Sequence, residues 1–212
     1  MREELYAVYE PAPRDSSDPA AIFKSHIDQE SASLRQITVH NPPARLLTIV
    51  RGLAEARRIL LVAEGDIVPV IQTVGSHLRQ QGLTVAAVRG DPMQQATLLA
   101  GFAAEDVVLG VCDGDERVAV ARALAFARAR NCTVYAVSGT LEGPLARQAD
   151  EILYVPSLSV GGITSTVALI GGLLALAQAL AAATGGGEST PANAVQAAYA
   201  QLIDTPTDGG RR

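Results

Sequence analysis

Between residues 58 and 156, five short apolar runs alternate with helical stretches, and this alternation restricts the fold more than any other feature. The runs are RILLVAE (58–64), LTVAAVR (83–89), DVVLGVC (106–112), CTVYAVS (132–138) and EILYVP (151–156). Each is continuous rather than alternating, so each strand is covered on both faces. The intervening helices fall at about 67–81, closed by Gly82, at MQQATLLAGFA after the turn GDP, at 118–130, and at the short GPLARQA. Strand, helix and strand at this spacing predict an α/β three-layer sandwich: a five-stranded parallel sheet with right-handed crossovers.

Helices flank this unit. In DPAAIFKSHIDQESASLRQI, residues Phe23, Ile27, Glu30, Leu34 and Ile37 recur at helical spacing, and Asp18 with Pro19 makes a good start. Asn41, Pro42 and Pro43 open a second helix running to about Ala56. After Pro156 the sequence predicts one long uncharged helix over about 161–183. By length it would cross a bilayer. Thr164, Ser165, Thr166, a glycine pair and Gln178 dilute its apolarity, and no basic flank anchors it, so it reads as a buried or dimer-interface helix. Leu169, Leu173, Leu176 and Leu180 form a stripe along it, and this helix and the one at 19–38 are the dimer candidates. TGGGEST ends it, and PANAVQAAYAQLI makes a last amphipathic helix. The expected organisation is a flexible segment 1–17, one domain 18–184, and a linker, short helix and loose tail over 185–212.

Aromatic residues make up only 4% of the chain, so the core must pack from Ala, Val and Leu. The formal net charge is −5 with no basic tract, which argues against direct nucleic-acid binding. Cys112 and Cys132 fall at opposite edges of a parallel sheet, too far apart to bridge. The N-terminus has no apolar signal region, so a cytoplasmic location is expected.

In open parallel sheets, ligands bind beyond the carboxyl ends of the strands. Five loops lie there: AEGDI, RGDPM, CDGDER, SGTLEG and PSLSVGG. Helix starts after such loops suit anions. They equally suit acidic caps, so Asp66, Asp115 and Glu116 can be read as helix caps or as ligand contacts. No phosphate-binding P-loop, dinucleotide fingerprint, nucleophile elbow or metal-spaced His/Cys cluster is present in the sequence. His26, His40 and His77 fall on or between helices, away from the strand ends. Cys112 is either a thiol activated by a helix start or a small buried apolar residue. Asp113 and Asp115 beside it oppose a thiolate.

Residues 18 to 184 resemble a SIS (sugar isomerase) domain, most of all the effector domain of RpiR-type transcription regulators. The likeness rests on FKSHIDQESASLRQI ahead of Ala56-Arg57-Arg58-Ile59, on GLTVAAV, on DVV before the loop at 113–117, and on VYAVSGTLEGPLARQADEILYVP. The resemblance implies a flavodoxin-like sheet, a homodimer, and binding or isomerisation of phosphosugars held by loop hydroxyls after the first and third strands. Those hydroxyls are replaced here. Ala63 and Gly65 align with the glycines of the first loop, and Ile67 with its serine. In the second loop Cys112 and Gly114 align with serines, Asp115 with the glycine and Arg117 with the threonine. Glu64, Asp66, Asp113 and Asp115 stand close by. Each unit charge pair at such range costs a phosphate roughly 1–4 kcal/mol, and Arg117 offsets only part of that.

The expected function is therefore a non-catalytic SIS module that binds or senses a sugar derivative or another small polar metabolite and acts through a protein partner. Its expected ligand contacts are Gly65, Asp66, Ile67, Cys112, Asp113, Gly114, Asp115 and Arg117. The alternative is a sugar-phosphate aldose–ketose isomerase using Glu64, Asp66 or Glu142 as the base. A divalent cation held by Asp66, Asp113 and Asp115 is a third, weaker reading. No cofactor is indicated. The seventeen residues ahead of the first helix are too few for the regulators' DNA-binding domain.

Overall fold

Helix α1 (Pro19–His40) begins where Asp18 Oδ1 accepts the Ala20 N–H at 3.0 Å, with Pro19 in the first turn. It ends at Asn41, and α2 (Pro43–Glu55) follows at once behind Pro42. The computed structural model describes residues 18–89, 91–113, 118–156, 158–160, 163–185 and 190–204. Next come β1 (Arg58–Ala63), a short 3₁₀ turn at Gly65–Ile67, α3 (Val68–Gln80), β2 (Val85–Arg89) and α4 (Pro92–Leu99). Then follow β3 (Asp106–Cys112), α5 (Val118–Ala129), β4 (Thr133–Ser138) and β5 (Glu151–Tyr154). A hairpin of β6 (Leu158–Val160) and β7 (Ile163–Ser165) leads into α6 (Val167–Ala183), and α7 (Thr190–Asp204) comes last.

The five long strands form one parallel sheet in the order β2-β1-β3-β4-β5. Alternate side chains of each strand feed two separate cores. Ile59, Leu61, Val107, Leu109, Tyr135 and Val137 pack under α2, α3 and α6. Leu60, Val62, Val108, Val134 and Ala136 pack under α4 and α5. Burial on both faces is the reason the strands read as continuous apolar runs. Gly110 in β3 lets α5 approach, since a Cβ there would lie 2.9 Å from Leu124 Cδ1 and 3.0 Å from Val120 Cγ1.

Helix ends follow local chemistry. Gly82 takes φ +86° after α3, and the Leu83 N–H reaches back to the Leu78 carbonyl. Asn131 (φ 62°) does the same after α5, where the Cys132 N–H reaches Ala127. Both are left-handed helix stops, open to Gly and tolerated by Asn.

Two sequence expectations are corrected. The uncharged stretch over 161–183 is not one helix: it holds β7 and α6, preceded by β6. Val160, Ile163 and Thr164 are β-branched, with a glycine pair between the strands, so the hairpin wins there. The GPLARQA segment forms consecutive turns rather than a helix. The helix expected at 19–38 is present as α1, and its residues divide in burial. Glu30 and Ser33 are buried and Ile37 is half-buried, whereas Phe23 (70%), Ile27 (48%) and Leu34 (38%) are exposed.

The leucine stripe of α6 faces inward, with Leu169, Leu173, Leu176 and Leu180 all buried in the larger core. Each such burial is worth about 1.5–3 kcal/mol. Those leucines serve the subunit's own packing, leaving Val167 and Leu174 exposed on the outer side. Among the described residues no helix is long and apolar enough to cross a membrane.

Candidate ligand site at the carboxyl edge

The chain leaves β1 through α3 to reach β2 on one side, then returns to place β3 on the other. The strand order reverses at that point, which is where open parallel sheets bind ligands beyond the carboxyl ends of their strands. The β1 loop carries Glu64, Gly65, Asp66 and Ile67, and the β3 end carries Cys112 and Asp113. Because β1 and β3 are hydrogen-bonded neighbours, the structure brings these six residues to one edge. Gly114, Asp115 and Arg117, the rest of the expected set, lie outside the described residues, as does Glu116.

The β1 loop is shaped by Gly65, whose φ of +62° suits a residue without Cβ. That turn exposes Asp66 and drives Ile67 inward, where it is 1% exposed within the larger core. The position that aligns with a phosphate-binding hydroxyl is thus a core residue. Asp66 is no helix cap: neither the 3₁₀ turn nor α3 has a side-chain cap bond at its start. The capping reading is therefore set aside for Asp66. Glu64 is half-buried in extended backbone just past β1.

Cys112 is 2% exposed and packs in the α4/α5 core, which fits the small apolar reading rather than an activated thiol. Neither cysteine forms a disulfide, both are buried, and burial pushes the Cys132 thiol up. Glu142 is exposed in the loop after β4, where its N–H donates to Thr140 Oγ1 at 3.1 Å and its carbonyl accepts from that hydroxyl at 3.2 Å. His26, His40 and His77 all lie on helices: α1, α1 and α3. Among the described residues no three His, Cys, Asp or Glu side chains gather as a metal site would require.

Two residues that begin loops placed at this edge by the sequence were not singled out there as contacts. Ser138 ends β4 opposite Cys112, is 1% exposed, and its Oγ accepts the Thr140 N–H at 3.2 Å. By strand alternation it lies on the same sheet face as Cys112, so a hydroxyl persists one strand over from those lost. Arg89 ends β2 in register with Ala63, exposed, on the outer side of the β1 loop. The signal for both was strand-end position, legible once the strand order is known.

A hydroxyl-poor, acid-rich edge at a switch point of order β2-β1-β3-β4-β5 can now be compared with known proteins. A protein-family model described as the SIS domain matches residues 52–182. The chain belongs to the SIS domain family. Among solved structures, this SIS domain resembles the sugar isomerase domain of an RpiR transcription factor from Sphaerobacter thermophilus. The TM-score is 0.76 and the identity 22%, covering 85% of this chain and 99% of that one. It also resembles the Vibrio vulnificus NanR protein complexed with ManNAc-6P, at TM-score 0.72 and 18% identity, covering 91% of this chain and 71% of that one. A third likeness is to a candidate sugar-phosphate isomerase from Listeria monocytogenes, at TM-score 0.66 and 15% identity, covering 89% of this chain and 99% of that one. No curated protein sequence matches significantly. At these identities the structures share the fold, one used by regulators and by isomerase-like proteins alike.

Proposed function

We propose that this SIS domain is a non-catalytic binding module for a carbohydrate derivative other than an ordinary phosphosugar. The observation that carries the reading is the replacement of the loop hydroxyls: Ile67 belongs to the core, Cys112 is buried, and Glu64, Asp66 and Asp113 supply negative charge. Carboxylates repel a phosphate dianion and attract an ammonium or hydroxyl groups. An amino sugar or an unphosphorylated sugar fits that edge. Structural kinship with a protein solved with ManNAc-6P supports a sugar derivative as the class of ligand. Gly65, Asp66 and Asp113, with Gly114, Asp115 and Arg117 in the adjoining segment, are the proposed contacts.

The working unit is residues 18–184, acting as a homodimer in the cytoplasm and signalling through a protein partner in a regulatory role. The exposed residues Phe23, Ile27 and Leu34 of α1, with Val167 and Leu174 of α6, support association of two copies. Light scattering at micromolar concentration is expected to give twice the chain mass, and a monomer would remove the dimer from the account.

Isothermal titration with an amino sugar and with its 6-phosphate tests the ligand class. Heat from the amino sugar with none from the phosphate supports the proposal, and the reverse order contradicts it. The isomerase reading would use Glu64, half-buried just past β1, or Asp66 or Glu142, as the base that moves a proton between neighbouring carbons. Steady aldose–ketose turnover that Glu64→Gln abolishes would favour that reading.

A further inference from the structure

Charge is distributed unevenly along this acidic chain. Residues 118–149 hold four arginines, Arg122, Arg128, Arg130 and Arg147, and one acid, Glu142, although the formal net charge of the whole is −5. Helix α5 buries Val120, Ala121, Ala123, Leu124 and Ala127 against the sheet. That leaves Val118, Arg122, Phe126 and Arg130 on its outer side, at successive steps of four residues and all exposed. Phe126 is 47% exposed, and Arg130 Cζ lies 5.8 Å from its ring centroid.

Part of this charge serves the fold. Arg128 donates to the Gln148 carbonyl at 3.0 Å and stands 3.6 Å from Asp150. Arg130 donates to the Phe102 and Ala100 carbonyls at 3.0 and 2.8 Å. Those bonds hold its guanidinium beside the Phe126 ring, where cation and ring attract. Neither set of bonds involves Arg122, in the middle of α5, or Arg147, exposed in the turns ahead of β5 and next to Gln148. Asp113 at the carboxyl edge precedes α5, and the helix runs from that edge back toward the start of β4. Each turn of α5 therefore carries its side chains further from the acids that come before it.

We propose that the outer stripe of α5, Arg122, Phe126 and Arg130 with Arg147 beside it, docks a short acidic segment of a partner protein that carries aromatic side chains among its carboxylates. The carboxylates meet Arg122 and Arg147 in charge-assisted bonds, and an aromatic ring packs against Phe126. Arginine and large aromatic residues are the side chains that concentrate binding energy at protein interfaces. A nucleic acid or an anionic bilayer fits less well. Its charge extends beyond the patch, over surface that carries the chain's excess acid, and repulsion there opposes association. The stripe lies on the α4/α5 face, apart from the carboxyl edge, so it offers a partner a seat whatever that edge binds.

Fluorescence anisotropy of the full chain with a labelled random copolymer of glutamate and tyrosine tests the patch, with no sugar present. Polyglutamate of similar length and a DNA duplex are the comparison probes. The native chain is expected to bind the copolymer about tenfold more tightly than either, because exposed charge pairs alone contribute little. Arg122→Glu and Phe126→Ala are each expected to weaken copolymer binding about tenfold. Arg35→Glu makes the same change of charge at an exposed position of α1, which packs on α6 across the sheet, and is expected to alter affinity by less than about twofold. The order of affinities in the native chain decides the matter even where a variant folds poorly. The proposal is overturned by a copolymer that does not bind, by polyglutamate or a duplex that binds as tightly, or by an Arg35→Glu loss equal to that of Arg122→Glu.

Discussion

Asn41 holds both main-chain polar groups of Tyr154: its Nδ2 donates to the Tyr154 carbonyl at 2.6 Å, and its Oδ1 accepts the Tyr154 N–H at 2.8 Å. Tyr154 lies on β5, an edge strand that among the described residues pairs only with β4. The amide side chain therefore acts as one rung of a missing sixth strand and covers an edge that would otherwise be open. Because Asn41 also ends α1, the same contact sets where the helical flank meets the sheet. Asn41→Leu leaves a buried donor and acceptor unpaired. The expected loss is about 1–3 kcal/mol, read as a lower urea midpoint with unchanged slope.

Gly52 of α2 makes room for Tyr135 of β4. A Cβ at position 52 would stand 2.0 Å from Tyr135 Oη, which donates to the Thr48 carbonyl at 3.4 Å. Gly52→Ala is expected to destabilise by about 1–3 kcal/mol through overpacking, although alanine is the better helix former. In a Tyr135→Phe background the nearest clash is gone, so the same substitution should cost less. A double-mutant cycle by chemical denaturation measures that difference.

At the amino end of β3, opposite the carboxyl edge, Asp106 is fully buried. It accepts bonds from Arg57 at 3.0 and 2.8 Å, from Arg58 at 3.1 and 2.6 Å, and from the Ala103 N–H at 2.8 Å. Burial alone would raise its pKa, but the bonds from Arg58, Arg57 and Ala103 together hold the carboxyl well below the usual range. A depressed carboxyl pKa contributes stability that is present above the unfolded value of about 4 and lost as pH falls below it. The native protein should therefore lose stability on acidification below about pH 4 more steeply than Asp106→Asn. That variant should start about 2–3 kcal/mol lower at neutral pH. Denaturation midpoints across the acid range check both statements.

Ile67 is the residue that closes the usual phosphate position. Ile67→Ser restores a hydroxyl to the β1 loop in name only, because the side chain is committed to the core with Val68 and Ile71. The expected outcome is a loss of about 2–4 kcal/mol, with no gain of sugar-phosphate affinity. Thermal unfolding with and without a sugar phosphate measures both.

The sheet was legible because burial on two faces leaves a continuous apolar signature in each strand, as in LLVA and VVLGV, and strands at this spacing leave few topologies. The hairpin of β6 and β7 was missed because an uncharged stretch reads alike as helix or strand until length and glycine placement arbitrate. The α1 helix was legible from its stripe, but its pattern of burial was not. Periodicity reports that Phe23, Ile27 and Leu34 share a face with Glu30 and Ile37, but not which part of that face the domain covers. At the candidate site, the loss of hydroxyls was plain from Ile67 and Cys112. Ser138 was placed only in a loop at that edge, because its nearness to Cys112 depends on strand register, which a single chain does not spell out.

The central claim is that the carboxyl edge discriminates against phosphorylated sugars. A thermal-shift series with a sugar phosphate, the matching free sugar and the matching amino sugar, at equal concentrations, addresses it directly, because a ligand of the folded state raises the midpoint by mass action. The account predicts a rise with the amino sugar or the free sugar and none with the phosphate. A strong rise with the sugar phosphate, abolished by Arg117→Ala, would contradict it.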